Sequence, residues 1–200
     1  MVLYGHLTCY YISKQTTHMK IFPLLAAAVL AAVTPLSAAK ASNFEEHQML
    51  YFTVERAGVP VVLNHPELCD EWGGGSYRWN EGKAILVICQ DNGSRVGFGN
   101  QVVWTENDLD TLRHEAHHIV QDCSAGVIAD GISVPYFKTA NAFQEFVKSS
   151  LSIDQVRSIW AAYSEKDVQD DVKVKEVEAF AVAATVSPRA IADAIVNECL

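Results

Sequence analysis

The stretch RHEAHHIV, residues 113–120, places three histidines and a glutamate within five positions of a chain that has 7 histidines in 200 residues. On a helix, four residues turn about 40° past a full turn and rise about 6 Å. His114 and His118 therefore project from nearly the same side and can meet at one metal ion. Glu115 lies between them in the pattern H-E-x-x-H. It sits beside such an ion without being needed as a ligand, and it can move a proton from an activated water to a leaving amine. Zinc lowers the pKa of that water towards about 7, so a carboxylate suffices as the general base. His117 points about 100° away from His118 and is expected beside the site or at the surface rather than as a ligand.

The flanks support a helix here. TEND (105–108) resembles a capping box with Thr105 as N-cap and Asp108 three residues on. Leu109, Leu112, Ala116, Ile119 and Val120 supply an apolar stripe, and Gly126 lies at or just past the expected end.

Two histidines leave a tetrahedral zinc in need of one more protein ligand and a water. No third histidine follows closely, because the chain continues IVQDCSAG after His118. The best source is KEVEAFAVAAT (175–185), where acidic residues enter an alanine-rich helix. Glu176, Ala179 and Ala183 share a face whose small residues leave room for another helix to come close. Glu178 is the alternative, and acidic residues that merely favour a helix start would also account for both glutamates.

H-E-A-H-H on one helix and K-E-V-E-A-F-A on a later one together resemble the gluzincin metallopeptidases, and the small size resembles the single-domain minigluzincins. The resemblance rests on roughly 20 residues of motif. It implies a zincin-like fold and zinc held by His114, His118 and a downstream glutamate in an E-x-x-A setting. Glu176-Val-Glu-Ala179 meets that setting, which favours Glu176. It also implies a strand that borders the cleft and pairs with an extended peptide, a part open to residues 84–89 or 95–103. Larger members carry a Tyr or His for the oxyanion on a further domain, for which this chain has no room. Tyr136 and Tyr163 are the candidates here.

Around these motifs the pattern is α+β. A helix is expected over 43–57, ended by Gly58 and Pro60, with strands within 59–64, 77–79, 84–89 and 95–103. Helices then follow at 141–150, from Ser152 to about Ser164, from about Asp171 to Thr185, and from Ser187-Pro188 onward. Gly73–Gly75 reads as a turn or loop, and 65–83 is open to a role as lid or inhibitory segment. His47 and His65 stand alone, which suits surface or hydrogen-bonding roles. Tyr51, Trp72, Trp79, Trp104 and Trp160 suit the core or a cleft wall. Asn92-Gly-Ser is a glycosylation sequon, incidental beside a bacterial-looking leader.

That leader is residues 19–41, MKIFPLLAAAVLAAVTPLSAAKA, with a basic start, an apolar centre and small residues for cleavage after Ala39 or Ala41. A membrane anchor is the competing reading, but the run falls short of about 20 apolar residues and contains Pro23 and Pro35. Residues 1–18 fit poorly in front of a leader, so Met19 is the expected start and 1–18 are expected to be untranslated or disordered. Residues 42–200 then form one metallopeptidase-like domain. Of the 15 basic residues, Lys14, Lys20 and Lys40 leave with the first 41, so 12 face 24 acidic ones, a net charge of −12. Such a surface argues against nucleic acid or anionic lipid as partner. Cys69, Cys89, Cys123 and Cys199 remain, without any CxxC pair that would suggest a structural zinc site. The favoured pairing is Cys69–Cys89 and Cys123–Cys199, in an oxidising, secreted or periplasmic setting. The expected function is a secreted zinc metallopeptidase acting on peptides or proteins. The alternatives are a non-catalytic zinc-binding or sensing protein and a zinc hydrolase of other substrates.

Overall fold

In the computed structural model the apolar spacing of the first expected helix becomes α1, Phe44–Arg56, and residues 44–70, 74–80, 82–93 and 103–200 are described. The leader, residues 1–18, Trp72 and all but the last residue of the 95–103 strand lie outside these segments. Gly58 follows α1 with φ 84°, a left-handed conformation that ends a helix without a Cβ penalty. The chain then runs through β1 (Val61–Leu63), the short α2 (Pro66–Asp70), and a hairpin of β2 (Gly74–Asn80) and β3 (Lys83–Cys89). β3 is central: β1 pairs with it in parallel and β2 antiparallel, giving a small mixed sheet of three strands.

Helices complete the chain: α3 (Glu106–Cys123), α4 (Ala140–Ser150), α5 (Ile153–Ser164), α6 (Asp170–Thr185) and α7 (Pro188–Cys199). The start signals act as read. Thr105 and Asp108 form a reciprocal capping box, Ser152 and Gln155 form another, and Ser187 caps α7 ahead of a proline in its first turn. The result is a mixed helical protein with a small sheet, as the α+β pattern implied.

The structure differs from the sequence pattern first at the glycines. Gly74 and Gly75 are not a loop but the start of β2. The strand crosses α3 so closely there that a Cβ on Gly75 would lie 2.6 Å from Thr111 Cγ2 and 2.7 Å from the Val87 carbonyl oxygen. Helix α2 was not anticipated. It has five residues, too few to show periodicity, and His65 Nδ1 accepts from the Glu67 and Leu68 amides at its start. Trp160 lies outside the core, in the wall of a cavity beside α4 and α5, with the Lys173 ammonium 5.4 Å from its ring centroid.

Helix α3 runs through the middle of the protein, against β2 and β3 on one side and α1, α6 and α7 on others. Its apolar stripe joins the main core, where Leu112, Ala116 and Ile119 meet Leu50, Tyr77, Leu86 and Ile195. A second cluster around Val147, Ile159, Tyr163 and Val177 seats α4 and α5 on α6. Cys69–Cys89 ties α2 to the end of β3, and Cys123–Cys199 ties the end of α3 to the end of α7, both as expected.

Candidate metal centre

The polar residues His114, Glu115, His117, His118, Gln121 and Asp122 of α3 are all buried. Buried polar groups need partners, and here they come from α6, β2 and the loop after α3. Because α6 presents Ala179 and Ala183, it packs closely on α3 and carries two buried glutamates into that contact.

Glu176 faces His114 and His118. Its Oε2 is 3.2 Å from His114 Nε2, its Oε1 is 3.5 Å from His118 Nε2, and the two imidazole Nε2 atoms are 3.1 Å apart. The three residues each offer one ligand atom within 4.8 Å of the others, a group that can hold a metal ion. A tetrahedral zinc with bonds of about 2.0–2.1 Å sets its ligand atoms roughly 3.3–3.4 Å apart, so these separations match. Glu176 Oε1 is buried without a hydrogen-bond donor, an arrangement that a cation would relieve. Two imidazoles and one carboxylate also form a donor set suited to zinc.

The electrostatics favour positive charge at this point. Burial alone would lower the His118 pKa, but the Glu176 carboxylate beside it holds it up at about 9. Burial would likewise raise Glu176, yet His118 and His114 keep it well below the usual carboxylate range. Tyr163, an oxyanion candidate in sequence, donates its hydroxyl to Glu176 Oε2 at 2.6 Å. That hydrogen bond orients the candidate ligand. Tyr136, the other candidate, lies against His117 with ring centroids 6.1 Å apart, and its backbone amide donates to Glu178.

Glu178 serves a different role from Glu176. Its Oε1 accepts from His117 Nε2 at 2.7 Å, from Gln121 Nε2 at 3.0 Å and from the Tyr136 amide, while Oε2 accepts from the Phe137 amide. It is thus held by donors away from the triangle. His117 is buried here rather than at the surface. Burial pushes its pKa down against the pull of Glu178, and Glu178, which burial would raise, is held low by the His117 contact. His47 is buried as well.

Glu115 Oε2 accepts from the Tyr77 amide of β2 at 2.7 Å, which anchors the carboxylate to the sheet edge beside the histidines. The Tyr77 hydroxyl in turn donates to Asp122, which also accepts from the Ala129 amide. Burial and then this hydrogen bond push the tyrosine far up, so it remains a donor. A cavity of ≈ 440 Å³ opens onto His114 between α3, α5 and α6, with Leu151, Ile159, Phe180 and Ala183 in its wall. A second, of ≈ 420 Å³ between α1 and α3, contains none of the triangle.

No protein-family model, curated protein or solved structure matches this chain. Among the described residues no helix is long and apolar enough to cross a membrane. Two disulfides fit an extracellular or periplasmic location.

Proposed function

We propose that the protein is a secreted zinc metallopeptidase of the gluzincin type, with His114, His118 and Glu176 as metal ligands and Glu115 as general base. The observation that carries this reading is the buried triangle of His114, His118 and Glu176 with Glu115 fixed one residue along the same helix. Zinc held there would supply Lewis acidity and lower the pKa of a water molecule towards neutrality. The chain's own contribution is orientation: the Tyr77 amide sets the Glu115 carboxylate, which takes the proton and returns it to the leaving amine. The cavity that opens onto His114 is the route by which a peptide would reach the site. The two disulfides suit an exported protein.

The second reading is a non-catalytic zinc-binding protein. It is favoured by the burial of all three ligands and of Glu115, each at most 2 % exposed. Glu115→Gln separates the two. Turnover of a mixed peptide library should fall by about 10²–10⁴-fold while zinc is retained. A zinc-loaded wild type with no turnover on peptides would favour the binding protein, and turnover confined to non-peptide esters or amides would point to a different hydrolase.

A further inference from the structure

Gln121 stands one turn beyond the histidines, fully buried, and touches both glutamate systems. Its Nε2 is 3.0 Å from the Lys175 carbonyl oxygen and 3.0 Å from Glu178 Oε1. Both of those atoms only accept hydrogen bonds, so the two amide protons must point at them and the amide cannot be flipped. The carbonyl Oε1 is thereby turned toward His118 Nδ1, 2.8 Å away. An amide oxygen only accepts, so Nδ1 carries the proton. With Nδ1 protonated, the available lone pair of the neutral ring is on Nε2, the atom that faces His114 and Glu176. Glu178 is itself fixed by His117 and two backbone amides.

We infer that Gln121 is a positioning residue that sets the tautomer and direction of His118 for metal binding, and that the His117–Glu178 pair exists to hold the Gln121 amide in that orientation. The inference rests on the metal reading above. It gives the third histidine and the second glutamate a role in the same site without making either a ligand. The other histidine is held differently: His114 Nδ1 has no hydrogen-bond partner, and its ring packs edge-on to Phe180 with centroids 4.4 Å apart. The hydrogen-bonded support of the pair therefore falls on His118 through Gln121.

The test uses the disulfide-bonded chain and zinc alone. Gln121→Met preserves length and removes both the acceptor and the donors, and Ile119→Val, a core truncation on the same helix, is the control. Chelator competition should show zinc affinity weakened about 10–100-fold in Gln121→Met and unchanged in the control. Long-range proton–nitrogen spectra of the zinc-loaded wild type should show His118 protonated on Nδ1 and metallated on Nε2. A Gln121→Met variant that binds zinc as tightly as wild type, or a His118 that binds through Nδ1, would overturn the inference while leaving the metal site standing. Should the variant fail to fold, the wild-type spectrum decides alone. A wild type that takes up no zinc would remove the metal reading and this inference with it.

Discussion

The burial of charged and polar side chains at the α3–α6 contact is the feature from which the site follows. His114, His118 and Glu176 converge with edges close to those of a tetrahedral ion, and Glu176 keeps one buried oxygen without a donor. Removing that ligand by Glu176→Ala should cost more than the about 10–100-fold typical of supporting residues, read by chelator competition. Tyr163→Phe keeps the ring but removes the 2.6 Å hydrogen bond that orients Glu176. It should weaken zinc binding within that same range of about 10–100-fold. Unchanged affinity in Tyr163→Phe would mean that the hydroxyl does not orient a ligand. At this scale the sequence revealed the histidines and the glutamate between them, because helical spacing alone puts them together. It left Glu176 and Glu178 open, because the choice depends on which histidine each meets some 60 residues away, 62 for His114–Glu176 and 61 for His117–Glu178. Tyr163 was read for its hydroxyl, which here meets Glu176, and the contacts of Gln121 and Asp122 are ones that no local pattern announces.

The elements were legible where their ends carry caps, and less so where tertiary contact overrides local preference. Thr105 with Asp108, Ser152 with Gln155, and Ser187 ahead of Pro188 each start a helix where the sequence placed it. Thr105→Ala should therefore lower stability by about 1 kcal/mol in denaturant titration without altering zinc affinity. The glycines at the start of β2 read as a loop because nothing in their local sequence shows that α3 lies beneath them. Gly75→Ala would press a Cβ against Thr111 and the Val87 carbonyl, and it would also come within 3.2 Å of Glu115 Cγ. Overpacking of this kind costs about 1–3 kcal/mol. Because β2 also delivers the Tyr77 amide to Glu115, peptide turnover should fall more than zinc affinity does. Parallel losses in stability and turnover with the Glu115 anchor intact would argue that the strand does not position the base.

Across the described residues, two disulfides and the candidate metal site tie distant parts of the chain together. Cys123–Cys199 spans 76 residues and anchors the C-terminal helix to the end of α3, whereas Cys69–Cys89 spans 20. Loop-closure entropy makes the longer crosslink worth about 1 kcal/mol more, so replacing Cys123 and Cys199 together with alanine should lower thermal stability further than replacing Cys69 and Cys89. Zinc bound by His114, His118 and Glu176 would join α3 to α6 in the same sense, and about 2.7 kcal/mol of stabilisation is expected at a hundredfold excess over its dissociation constant. The most direct measurement is X-ray absorption at the zinc edge of the purified, oxidised protein carrying one equivalent of zinc. The expected result is nitrogen and oxygen neighbours at about 2.0–2.2 Å, the outer-shell signature of two imidazoles, and loss of one oxygen neighbour in Glu176→Ala. Failure to take up an equivalent of zinc, or sulfur neighbours at about 2.3 Å, would contradict it.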